Sequence, residues 1–298
     1  MAWDNANVIE IVRSDISAAK PKVVIFDFDG TLSVIRSGWM DVMVPMCIEH
    51  LSALNTGEPE AKLTEVVEEF VWRLTGKETI YQMMALADAI VQRGGEPLEP
   101  LAYKKLYLDR LTTRIQHRVE DLRERRVPPD RYLVPGARRL LESLLEYGVR
   151  LYLASGTDHA NVNEEAELLD IARYFEGRIF GAQDDLSSFS KALLVQQIVS
   201  RSGLLGRELL VFGDGYVEIE EVKKVRGTAV GVATAEPACL AIDEWKRHRL
   251  LKVGADVIIP NYLELNDLLT VLFAAPEVTE EQICGEDVNQ PTFRRGNP

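Results

Sequence analysis

The chain has little sulfur and no pattern for pairing it. Its 298 residues hold only Cys47, Cys239 and Cys284, odd in number, far apart and without a CxxC. That argues against a disulfide framework and a zinc site, and fits a reducing cytoplasm. Long apolar runs are missing too: none nears the roughly 20 residues a membrane helix needs, so no membrane partner is expected. The opening MAWDNANVIEIVRSDIS carries acids and lacks an apolar centre, so it is not read as a secretory signal. Basic charge is short as well: 34 Lys and Arg face 47 Asp and Glu, for a net charge of −13. Such a surface repels polyanions, so no nucleic-acid partner is expected. Any phosphate ligand then needs a metal or a local cationic pocket. No internal repeat is visible.

What is present is ordinary globular material, 46% hydrophobic and 27% charged. That suits one large α/β domain, or a core with a smaller companion, as monomer or homodimer. Lys22–Asp27 reads as a buried strand. Further strands are expected at Val149–Ala154, Arg178–Gly181, Leu209–Gly213, Thr228–Val232 and Asp256–Ile259. Helical patterns lie between most of them, at Gly136–Tyr147, Phe189–Ser200 and Glu218–Val225. This alternation predicts an α/β fold with a Rossmann-like parallel sheet.

Residues 37–131 break the alternation. They show no strand, only helical stretches at Trp39–Leu54, Pro59–Leu74, Thr79–Arg93 and Glu99–Arg126, separated by breakers such as Gly76 and Gly94–Gly95. The expected organisation is a core over 1–36 and 132–275, an all-helical cap inserted over 37–131, and a polar tail over 276–298.

The sharpest chemical feature is Asp27-Phe28-Asp29-Gly30-Thr31, at the end of the first strand. In a parallel sheet that end is where ligands bind. Asp27 closes the strand and Asp29 lies in the turn that Gly30 permits, so both can reach one site. Carboxylates so close repel each other, and a divalent cation is the usual remedy. Ligation by oxygen alone favours Mg²⁺.

DFDGT after a hydrophobic strand resembles the first motif of the haloacid dehalogenase superfamily. Three further elements follow in that family's order. LYLASGT puts Ser155 where the second motif lies, Lys191 opens a helix like the third, and Gly213-Asp214-Gly215-Tyr216-Val217-Glu218 is similar to the fourth. The last acid is Glu218 where many relatives have Asp. The resemblance implies a Mg²⁺-dependent phosphohydrolase acting on a small phosphorylated metabolite through an aspartyl-phosphate.

Roles follow from the chemistry of phosphoryl transfer. Asp27 attacks phosphorus, and Asp29 serves the leaving group and then water. Thr31 and Ser155 hydrogen-bond the phosphoryl oxygens, backbone N–H groups around Gly156 at the following helix start form an anion nest, and Lys191 adds positive charge. Metal contacts are expected from Asp27, Asp214 and Glu218, and the resemblance adds the backbone carbonyl of Asp29. In the cap, Arg36, Trp39, Arg73 and Lys77 are candidates for substrate contact, with Thr75 and Gly76 in the same break. The alternatives are a phosphomutase of the β-phosphoglucomutase kind, or a binding module that keeps the fold.

Overall fold

Residues 23–26 read VVIF, and all four are buried. Their side chains alternate between two faces. Val24 and Phe26 join one apolar core, while Val23 and Ile25 join another. A strand buried on both sides carries no polar alternation, which suits the interior of a parallel sheet. The computed structural model, which describes residues 9–13, 20–183, 190–204 and 206–273, places this strand near the centre.

The strands are β1 (Glu10–Ile11), β2 (Val23–Phe26), β3 (Arg150–Asp158), β4 (Ile179–Ala182), β5 (Leu209–Gly213), β6 (Thr228–Val232) and β7 (Val257–Ile259). They form one sheet in the order β1-β7-β6-β5-β2-β3-β4. Among the described strands only β1 is antiparallel; it pairs with β7 at the edge. The other neighbours pair parallel. The chain leaves β2 towards β3 and β4, then returns to β5 on the other side. β2 is therefore the point where strand order reverses, and ligands bind beyond the carboxyl ends there.

Sequence reading did not anticipate β1. Two residues carry no pattern of their own, and this edge depends on partners. Glu10 receives two hydrogen bonds from Arg247, at 2.6 and 2.7 Å.

Four helices fill the stretch between β2 and β3: α1 (Met40–Ser52), α2 (Glu60–Arg73), α3 (Thr79–Val91) and α4 (Pro100–Arg123). Their apolar faces meet through Met43, Met46, Leu51, Val67, Phe70, Leu86, Tyr103 and Leu111, all buried. Six more helices follow: α5 (Ala137–Glu146), α6 (His159–Leu168), α7 (Lys191–Ser202), α8 (Tyr216–Lys224), α9 (Glu244–Lys252) and α10 (Leu265–Phe273). α9, EWKRHRLLK, escaped the sequence reading because Leu250 is its one buried residue. No helix among the described residues is long and apolar enough to cross a membrane. The expected tail over 276–298 lies outside the described residues.

Candidate active site

Three parallel strands in register deliver their carboxyl ends to one place. Phe26 of β2 pairs with Leu153 of β3 and Phe212 of β5. Asp27 follows Phe26 directly, and its N–H still donates to the Phe212 carbonyl at 2.9 Å. Asp214 lies two residues past Phe212, and Ser155 two past Leu153. Two helix starts add to the group. Lys191 opens α7, whose cap is the Ser190 hydroxyl accepting from the Leu193 N–H. Glu218 sits in the first turn of α8 and caps it, its Oε1 accepting from the Gly215 N–H at 2.8 Å.

Lys191 links two of the acids. Its Nζ lies 2.6 Å from Asp27 Oδ1 and 3.0 Å from Glu218 Oε2, and all three residues are buried. Burial alone would lower the Lys191 ammonium, but Asp27 and Glu218 more than offset it and hold it above its ordinary value. Burial pushes the Asp27 carboxyl well up. Glu218 and Asp214 add to that rise, and Lys191 opposes it. One oxygen from each of Asp27, Asp214 and Glu218 lies within 4.8 Å of the others. These are hard oxygen donors crowded beyond what Lys191 neutralises, and a divalent cation fits such a set.

Asp29 points elsewhere, and its carboxylate is not in that cluster. Its Oδ2 accepts from the hydroxyls of Thr157 at 2.8 Å and Ser155 at 3.3 Å. Thr157 was missed by sequence reading. Its signal was its spacing, because two residues from Ser155 along a strand is the same face.

Gly156 does not stand at a helix start. β3 runs on to Asp158, and α6 begins at His159. Between the pairs Ala154↔Phe180 and Asp158↔Ala182, β3 advances further than β4. The surplus bulges, as is common beside active sites, and aims residues 155–157 at the cavity.

A cavity of about 100 Å³ lies over Asp27 and Asp29, with Trp39, Lys77, Gln82 and Tyr107 among its walls. The α2–α3 loop supplies Thr75, Gly76 and Lys77 to its walls. A Cβ on Gly156 would stand 2.7 Å from the Lys77 carbonyl oxygen, and one on Gly215 would stand 2.9 Å from the Gly76 Cα. Gly76 and exposed Lys77 therefore rest on Gly215 and on the bulged end of β3. A neighbouring cavity of about 360 Å³ shares Trp39, Thr75 and Asp214 with the first.

Arg36 lines the smaller cavity but is buried in a bidentate pair with Glu165, Nη2 donating to Oε1 at 2.6 Å and Nε to Oε2 at 3.2 Å. Burial would lower its guanidinium, and Glu165 and Asp29 reverse that. Glu165, Gln82 and Tyr107 were not foreseen. Gln82 did leave a signal, as a lone amide in the otherwise apolar run Met83–Ala87 and its neighbours.

Arg73 and Thr31 are not brought to the cavity, and Lys191 and Glu218 are not among its walls. Arg73 is exposed and pairs with Glu69 at 3.4 Å, one helical turn away on the surface of α2. Thr31 is fully buried, and its hydroxyl has no hydrogen-bond partner. The turn folds back so that the Phe28 carbonyl accepts from Leu32 and Ser33 N–H, which carries Thr31 inward. The Thr31 carbonyl accepts from the Tyr262 hydroxyl at 2.9 Å.

A further cation enters from α9. Lys246 Nζ lies 2.8 Å from Asp214 Oδ2 and 2.9 Å from Glu236 Oε1.

The model of the haloacid dehalogenase-like hydrolases matches residues 21–225. No curated protein matches the chain. Among solved structures, a predicted phosphoglycolate phosphatase from Haemophilus somnus 129pt is 18% identical, covering 84% of this chain and 98% of its own, with a TM-score of 0.55. A hydrolase from Pseudomonas syringae is also 18% identical, covering 85% and 100%, with a TM-score of 0.55. A β-phosphoglucomutase from Clostridium difficile is 14% identical, covering 78% and 98%, with a TM-score of 0.51. At such identities these likenesses speak to the shared fold.

Proposed function

The chain belongs to the haloacid dehalogenase-like hydrolases, and from that premise we propose that it hydrolyses a small phosphate monoester, with Mg²⁺, through an aspartyl-phosphate on Asp27. One observation carries the reading. Asp27 directly follows β2, with Lys191 at 2.6 Å, inside a cluster of three carboxylates.

Asp27, Asp214 and Glu218 would hold the cation, with the Asp29 carbonyl. Bound there, Mg²⁺ supplies positive charge against the phosphoryl oxygens. Lys191 takes one oxygen of Asp27 and leaves the other for attack on phosphorus. As the Asp27–phosphorus bond forms, the ester oxygen departs and takes a proton from Asp29. Asp29 then accepts a proton from water as that water attacks phosphorus, and the Asp27 carboxylate is released. The hydroxyls of Ser155 and Thr157 keep Asp29 aimed for both steps. Ser155 Oγ and the backbone around Gly156 would meet the phosphoryl group.

In this reading residues 37–131 act as the cap over a core of 1–36 and 132–275. Trp39 and Lys77 meet the substrate, and Arg36 positions Asp29 from 3.8 Å. The narrow cavity selects small leaving groups, and the closed lid excludes water. The described cysteines, Cys47 and Cys239, are buried and unpaired, which supports a reducing cytoplasm.

The test is phosphate release from a panel of phosphorylated metabolites with Mg²⁺, with Asp27→Asn as control. The expected result is release from a small ester by the wild type alone. Mg²⁺-dependent release from no compound contradicts the reading. Phosphoryl return to a sugar, dependent on a bisphosphate activator, identifies a mutase instead.

A further inference from the structure

We propose that Lys246 sets which divalent cation the carboxylate cluster accepts, by occupying one oxygen of Asp214 and leaving the other as its only free donor. This rests on the cation-site reading above.

Lys246 comes from α9, outside the four motifs that carry the resemblance. Its Nζ bridges Asp214 Oδ2 at 2.8 Å and Glu236 Oε1 at 2.9 Å, with 16% of the side chain exposed. The turn at Gly30 also approaches Oδ2 closely. With its φ of +73°, that glycine brings backbone so near that a Cβ would collide with Oδ2. Asp214 Oδ2 is thus approached by both a fixed cation and the chain.

The other two carboxylates are restrained in the same way. Lys191 holds Asp27 Oδ1 and Glu218 Oε2, and the Gly215 N–H holds Glu218 Oε1. Asp27 and Asp214 each keep one oxygen clear of these partners, while both oxygens of Glu218 already accept a hydrogen bond. Mg²⁺ takes six ligands in strict octahedral geometry. Ca²⁺ takes six to eight and readily uses both oxygens of a carboxylate. Denying Asp214 a bidentate grip therefore penalises Ca²⁺ more than Mg²⁺. Glu236 fixes the lysine so that it cannot swing aside.

The experiment is calorimetric titration of chelator-treated full-length protein with Mg²⁺ and, separately, Ca²⁺. Lys246→Met removes both the charge and the hydrogen bond, while Lys246→Gln removes the charge but keeps a donor. In Lys246→Met, Ca²⁺ affinity should rise at least about tenfold more than Mg²⁺ affinity, the scale on which residues behind metal ligands act. Lys246→Gln should keep the wild-type ratio. Equal shifts for both ions in Lys246→Met, or no shift, overturn the proposal and leave Lys246 as a general counter-charge. If Lys246→Met does not fold, Lys246→Ala carries the same comparison. Wild-type protein that binds neither ion, or Asp214→Asn that binds both unchanged, removes the cation site itself. That failure is distinct from an unaltered ratio at an intact site.

Discussion

Gly156 and Lys77 meet backbone to backbone: a Cβ on Gly156 would lie 2.7 Å from the Lys77 carbonyl oxygen and 3.1 Å from its carbon. Gly156 is not among the glycines with positive φ, so alanine strains no dihedral there. Its cost is steric, and backbone cannot yield as a side-chain tip can. Gly156→Ala should lift the lid by a fraction of an ångström and reduce kcat/KM by about 10- to 100-fold, since misplacement on the ångström scale costs that much. The urea midpoint should move little. Steady-state kinetics beside an unfolding curve check this.

Arg36 and Glu165 form a buried pair that joins the segment after β2 to α6. Removing one partner leaves the other charge buried. Arg36→Met should cost about 3–5 kcal/mol in urea unfolding. Arg36→Met with Glu165→Gln should recover part of the loss, because no lone charge remains. A double-mutant cycle reads the coupling directly.

In the proposed reaction the role of Asp29 depends on the leaving group. A poor leaving group needs a proton as it departs, and a good one does not. Asp29→Asn should slow an alkyl phosphate by about 10²- to 10⁴-fold. A nitrophenyl phosphate should lose far less in its first turnover. Rapid-quench rates on both esters separate the two.

Much of the core was legible in the sequence because its strands are apolar on both faces. Leu209–Gly213 and Thr228–Val232 were read with the bounds the structure has. Asp27, Ser155, Lys191, Asp214 and Glu218 could be placed together because each lies at the carboxyl end of a strand or opens a helix. Lys246 was not legible. Its helix has one buried residue, and nothing local links it to Asp214, 32 positions earlier. Arg73 and Lys77 looked equivalent in the sequence. Only the turn at Gly76 sends one along the surface and the other over the cavity. The bulge that moves Gly156 off a helix start depends on pairing with β4, which no local pattern encodes.

Burial pushes the Cys47 thiol up to about 12, from an ordinary value of 9.0. The native state thus holds its proton between those limits, where the unfolded chain has lost it. Stability should therefore fall as pH rises through that window. Cys47→Ala should flatten the fall, measured by urea unfolding between pH 8 and about 11. At neutral pH the native thiol should resist a thiol-exchange reagent, and react once the chain is unfolded.

The most direct test asks where the phosphoryl group goes. Protein mixed with a substrate and quenched in acid within one turnover should yield a peptide containing Asp27 that carries a phosphoryl group. Hydroxylamine should remove that group, and Asp27→Asn should show none. Full phosphate release with no label on that peptide, or turnover by Asp27→Asn within about tenfold of wild type, would contradict the account.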